Sequence, residues 1–172
     1  MRILAIILYY GLARFIPAYP KVIGDFGKSL RAFCASYLFD SIGENINIRP
    51  NVRFGKGINI SLGNNSGIGE YTYIVAMDKV LIGQNVMMGP ECMLLTGNHG
   101  YDDVNKTLIE QSILVDEIII EDDVWIGARV ILLPGAKIKK RTIVAAGSVV
   151  SGEIGPNGIY GGVPAKLIKE IL

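Results

Sequence analysis

The sequence predicts a mainly β chain built as a parallel β-helix of six-residue repeats, and three observations lead there. Aliphatic residues recur at every sixth position from Ile42 onward, and a second inward position, small or β-branched, follows four residues after each. The composition agrees: 21 glycines accompany an apolar fraction of 50% and only 8% aromatics, which suits tight bends around a core of small aliphatics. A length of 172 residues fits one domain. A net charge of +1, with no long run of like charges, gives no electrostatic footing for nucleic acid as a partner. Cys34 and Cys92 form neither a disulfide framework nor zinc-ligand spacing, so a reducing, cytoplasmic setting is the simpler expectation. A single histidine rules out a metal site of three imidazoles within one chain, and no metal is expected.

Residues 1–41 stand apart as an N-terminal helical region. Ile3 to Ala13 reads ILAIILYYGLA without a charge, too short to span a bilayer, which takes about 20 apolar residues. No small-residue cleavage pattern follows it, so a signal peptide is not expected. The first reading is a helix packed on the body of its own or a neighbouring subunit. The second is peripheral membrane contact through residues 1–31, at the inner face of the membrane. Arg2, Arg14, Lys21, Lys28 and Arg31 outnumber Asp25 and Asp40 beside this apolar surface, as in an interfacial helix.

The repeat occupies 42–155. Its cleanest run is Ile120, Ile126, Leu132, Ile138, Val144, Val150, with Val124, Val130, Ala136, Thr142 and Ser148 at the second inward position. The same register occurs earlier as Ile42, Ile48, Phe54 with Ile46, Val52, Ile58. It slips by two residues to Leu62, Ile68, Ile74, and by two again to Ile82, Met88, Leu94. Glycine often follows the inward aliphatic, where a bend needs little side-chain bulk. A period of six suits short strands, three to a turn, each paired with the one about 4.8 Å above it. Cys92, four residues after Met88, falls at an inward position, which sets it in the core and against a role as acyl-accepting nucleophile.

Between Leu94 and Ile120 the period fails, over LLTGNHGYDDVNKTLIEQSILVDEI, and a loop is expected at 98–117. A polar excursion of this length in a regular solenoid points to function. His99 sits at its root. An imidazole with a pKa near about 6.5 is largely free base at neutral pH and can take the proton of a hydroxyl that attacks a carbonyl. Its other nitrogen needs a partner, which a backbone carbonyl or Asp102, Asp103 or Glu117 could supply.

The stretch TGNHGYDD followed by DDVWIGARVILLPGAKI resembles the hexapeptide-repeat acetyltransferases, most closely those acting on sugars and capsular polysaccharides, and the resemblance covers residues 42–169. It implies a left-handed β-helix, a homotrimer, and His99 as general base for direct attack of a sugar hydroxyl on the thioester of acetyl-coenzyme A in a groove between subunits. It further implies that Trp125, Gly127, Ala128, Ala146, Gly147, Ser151 and Gly152 line the cofactor groove. Asn98, Tyr101 and Asp102 fall on the acceptor side. In the closing motif GGVPAKLIKEIL, Lys166 and Lys169 match residues that meet the coenzyme A phosphates, and a cap helix is expected within 156–172. Two departures are visible: Gly152 stands where many relatives carry a basic residue, and the acceptor-binding asparagine of galactoside-type relatives has no clear match in IGEYTYIVAMDKV. Competing functions are acyl transfer to the nitrogen of an amino sugar or small amine, and a non-catalytic β-helix scaffold.

Overall fold

The computed structural model describes residues 1–171. From Ser41 to Gly161 the chain winds as stacked coils whose strands pair in parallel along three faces. The first face holds β1 (Ser41–Ile42), β3 (Ile60–Leu62), β6 (Val80–Ile82), β11 (Ile118–Ile120), β14 (Lys137–Ile138) and β17 (Glu153–Ile154). On the second face lie β2 (Asn47–Ile48), β4 (Gly67–Ile68), β7 (Met87–Met88), β12 (Trp125–Ile126), β15 (Thr142–Val144) and β18 (Gly158–Gly161). The third face carries β5 (Tyr73–Val75), β8 (Met93–Leu95), β13 (Ile131–Leu132) and β16 (Val149–Val150).

The inward positions read from the six-residue period form the core. Ile120, Ile126, Leu132, Ile138, Val144 and Val150 are all buried, as are Val124, Val130, Ala136, Thr142 and Ser148. Cys92 is buried too, its thiol donating to the Gly127 carbonyl at 3.2 Å, and burial pushes its pKa up. One inward assignment is corrected: Ile58 is 47% exposed, and Ile60 fills the interior in its place. Ile58 follows the Gly57 turn, at φ +74°, in the corner where the register is already changing. The two-residue slips have the same origin. In the early coils Ile42, Leu62 and Ile82 stack directly on one another, and the extra residues swell the corner between the third face and the first.

The corners themselves use residues in the left-handed region. Asn45, Asn65, Asn85, Asp123, Arg141 and Asn157 all have φ between 51° and 58° at the corner from the first face to the second. Asparagine and aspartate tolerate this conformation through local hydrogen bonding. Asn45, Asn65 and Asn85 also form a ladder, each side-chain amide donating to the next at 3.1 and 3.3 Å. Gly55, at φ +60° with open space where a Cβ would stand, serves its bend as expected, but the other glycines after inward aliphatics do a different job. A Cβ on Gly63 would lie 2.6 Å from Gly83, and one on Gly89 would lie 2.6 Å from the Ala128 nitrogen, so these glycines let successive coils stack closely.

At the N-terminus, α1 (Arg2–Gly11) and α2 (Lys21–Leu38) close the open end of the solenoid. Ala5, Tyr9, Ala13, Cys34, Ala35 and Leu38 are buried in one cluster with Phe39, just after α2, and Phe54 of the first coil. The Tyr9 ring lies 4.5 Å from that of Phe54, its hydroxyl donates to the Val52 carbonyl, and burial holds its pKa far above the ordinary value. One face of each helix thus packs on the protein's own body, while Ile3, Leu4 and Ile7 of α1 and Val22 and Phe26 of α2 stay exposed. Part of the positive charge counted in the sequence is taken up by this packing. Arg31 is buried with three backbone carbonyls as acceptors, Arg14 stacks over Phe15 at 4.6 Å, and Arg2 donates to the Leu38 and Lys56 carbonyls. Among the described residues no helix is long and apolar enough to cross a membrane.

The expected C-terminal helix is not formed. Residues Lys166–Glu170 are a strand, β19, antiparallel to β18. A short run of mixed aliphatics and lysines is compatible with either state, and here the free edge of β18 supplies a ladder that an isolated one-turn helix could not match.

Candidate active site

The excursion is a hairpin rooted at the corner between the third and first faces. Its strands, β9 (Gly97–His99) and β10 (Ile113–Val115), pair antiparallel with His99 opposite Ile113. The base is pinned by a residue the sequence reading passed over. Thr96 is buried, its hydroxyl donating to the Val75 carbonyl at 3.0 Å and accepting from the Asp78 amide at 2.9 Å. Its carbonyl accepts from the Asp116 amide at 3.0 Å, which locks the hairpin's exit. The tip holds itself together through a capping box, in which the Thr107 amide donates to the Glu110 carboxylate at 3.1 Å, and the Thr107 hydroxyl donates to the same carboxylate at 2.7 Å.

Of the carboxylates offered as partners for His99, Asp103 is committed within the tip. It accepts from the Asn105 amide and pairs with Lys106 at 3.2 Å, and these contacts lower its pKa. The imidazole makes no side-chain hydrogen bond among the described residues, and it is exposed. Alternation along β9 places position 99 on the same side as position 97. A Cβ on Gly97 would meet the Met77 sulfur at 2.6 Å, so His99 projects from the side of the hairpin that faces the coil below. Asn98 takes the opposite side, and Tyr101 and Asp102 are exposed just beyond the strand.

The remaining candidates separate by corner. Trp125 is half exposed on the second face, and Ala128, Ala146 and Gly147 sit at the corner from the second face to the third. Gly147 has φ +73°, and a Cβ there would meet nothing within 4 Å, leaving bare backbone open to a narrow ligand. Gly127 is instead a packing residue, since its Cβ would lie 2.6 Å from the Ala146 nitrogen. Ser151 and Gly152 lie on the same corner as His99, further along the axis; Gly152 has φ +93°, which explains a glycine where a basic side chain was expected. Lys166 and Lys169 are exposed on β19, paired with Gly161 and Ile159. Within one chain, then, His99 and the Ala128–Gly147 edge lie on opposite borders of the third face.

Comparison with known proteins follows the same lines. Residues 117–152 match the family described as bacterial transferase hexapeptide (six repeats). A putative lipopolysaccharide biosynthesis O-acetyl transferase of Escherichia coli strain K12 is 31% identical over 140 residues, which cover 76% of this chain and 71% of the relative. The chain belongs to the hexapeptide-repeat acetyltransferases. A galactoside O-acetyltransferase of the same organism is 36% identical over 135 residues, which cover 78% of this chain but 65% of that relative, so the chain spans a little under two thirds of its length. Among solved structures, the hexapeptide-repeat acetyltransferase of Vibrio cholerae in complex with acetyl-coenzyme A matches with a TM-score of 0.78 at 28% identity, over 84% of this chain and 78% of that one.

Proposed function

We propose that this chain transfers the acetyl group of acetyl-coenzyme A to a hydroxyl of a sugar in a surface polysaccharide or its precursor, with His99 as general base. The observation that carries the reading is the break in the repeat: in a solenoid of buried aliphatics, one pinned hairpin presents the only imidazole to solvent. Family membership and the relatives' names support the donor and the acceptor class.

In this reaction an imidazole nitrogen accepts the hydroxyl proton as the acceptor oxygen attacks the thioester carbonyl. The carbon–sulfur bond then breaks, and the imidazolium returns its proton to the departing thiolate. Trp125, Ala128, Ala146 and Gly147 hold the pantetheine arm, and Lys166 and Lys169 offer point charges to phosphates. Because His99 and the Ala128–Gly147 edge border opposite sides of one face, a complete site needs the edges of two chains to meet, which favours a site between subunits of a homotrimer.

The test is release of coenzyme A thiol with a panel of glycans, followed by mass analysis of the acetylated product. His99→Ala with its oligomer intact should lose about 10² to 10⁴ in rate. A variant retaining more than about a tenth of wild-type turnover would sink the general-base role. Alkali-labile product marks an ester; alkali-stable product would shift the acceptor to nitrogen.

A further inference from the structure

Below the hairpin, where the extra residues of the early coils swell the corner, lies an open cleft of about 640 Å³. Its walls include Tyr10, Arg53, Lys56, Asn59, Tyr73 and Met77. Met77 is the residue that faces Gly97, and His99 projects on that same side of the hairpin, so cleft and base are neighbours. Asn59 braces the wall, its amide donating to the Ala76 and Met77 carbonyls at 3.4 and 3.3 Å.

The charge of this cleft is one-sided. Arg53 and Lys56 line it, and no aspartate or glutamate does. The Arg53 guanidinium carbon sits over the Tyr73 ring, 4.9 Å from its centroid, and neither cation has a carboxylate partner among the described residues. Two carboxylates next to the cleft walls are engaged with backbone: Asp40 accepts from the Asn59 amide at 3.1 Å, and Asp78 from the Lys79 amide at 2.7 Å. In the same cleft, half-exposed Ile58 and Met77 provide an apolar surface of the kind that the C–H face of a sugar ring covers. Unpaired cations in a cleft attract anions far better than the same charges on a convex surface, and a guanidinium held by stacking is preorganised to form charge-assisted bonds to a carboxylate or phosphate.

We infer that the Arg53–Lys56 cleft binds the acceptor through an anionic group, a carboxylate or phosphate carried by the sugar, and so selects acidic over neutral glycans for the reaction at His99. This rests on the acetyl-transfer reading, and the experiment separates the two. Binding of methyl glucoside, methyl glucuronide and glucose 1-phosphate to the full chain is followed by saturation-transfer NMR, beside coenzyme A release with each.

At least one anionic probe should bind about tenfold or more tightly than methyl glucoside, and the arm that does so identifies carboxylate or phosphate. The ratio of anionic to neutral binding should fall about tenfold in Arg53→Gln/Lys56→Gln. Lys56→Gln alone, at an exposed turn, serves if the pair disturbs folding, and Lys21→Gln on α2 should leave the ratio where it was. Equal binding of all three probes, binding of no anionic probe, or an unchanged ratio in the double variant overturns the inference. Anion-selective binding lost in the double variant, without thiol release from any acceptor, would instead retain the cleft and overturn acetyl transfer.

Discussion

Arg31 is the charged side chain sealed inside the described residues, and it makes no ion pair among them. Its guanidinium donates to the carbonyls of Ile48 at 2.6 Å, Ala13 at 3.1 Å and Ile16 at 2.9 Å, tying α2 and the connection between the helices to the first coil. Burial lowers its pKa, but an arginine remains charged at any working pH. Arg31→Ala leaves those carbonyls without their donor and should cost about 3 kcal/mol in denaturant unfolding. Thr142 presents the opposite case. It is fully buried at an inward position, and its hydroxyl has no partner, whereas Ser66, Thr96 and Ser148 each bond to backbone. Thr142→Val removes the orphaned hydroxyl at almost constant volume, and a rise in stability of about 1 kcal/mol is expected in the same measurement. The sequence shows both residues, yet only the partners of each reveal which polar group is satisfied.

At the scale of elements, the hairpin and the terminal strand show how far a local pattern reaches. The loss of period located the hairpin, because a solenoid cannot absorb a polar insertion inward. The hairpin's strands, its pinning by Thr96 and the commitment of Asp103 to its own tip depend on neighbouring coils and were not legible. Asp103 and Glu110 both have lowered pKa values, from the Asn105 amide and Lys106 in one case and from Thr107 in the other. A carboxylate with a lowered folded pKa contributes order that is fully present above its ordinary value, 3.8 for Asp103, and is lost as pH falls through the folded value. Amide protection factors across residues 100–112, taken relative to the intrinsic exchange rate at each pH, should therefore fall on acidification below that point while the coils stay protected; uniform protection at low pH would contradict it. The C-terminal strand was misread as a helix because a few mixed residues carry no decisive period, and the deciding partner, the edge of β18, is distant in neither space nor sequence but invisible to periodicity.

For the whole molecule, the solenoid has two ends, and each is covered differently. Helices α1 and α2 roof the first coil with aromatic and aliphatic side chains, whereas β19 pairs with the exposed edge of β18. An unpaired β edge is a template for association. Ending the chain after Gly162 should give concentration-dependent association by light scattering and a lower melting temperature; a monodisperse truncated chain of unchanged stability would show that β19 is dispensable as a cover. The same global geometry divides the candidate site. Coil length determines where each corner falls, so the second-to-third corner collects Ala128, Ala146 and Gly147, and the third-to-first corner collects His99, Ser151 and Gly152.

By itself the sequence determined the six-residue period, the buried positions from Ile120 to Val150 and the break that carries His99. Those features follow from burial, which each residue obeys locally at its own step of the coil. Only the tertiary structure decided that Ile58 yields to Ile60, that the terminal lysines ride on a strand, that Arg2 and Arg31 among the N-terminal cations are spent on backbone carbonyls, and that an unpaired Arg53 and Lys56 flank a cleft beside the base. Each of these depends on which coil lies above or below a residue, and stacking of that kind is set by coil length and free edges rather than by any residue's immediate neighbours.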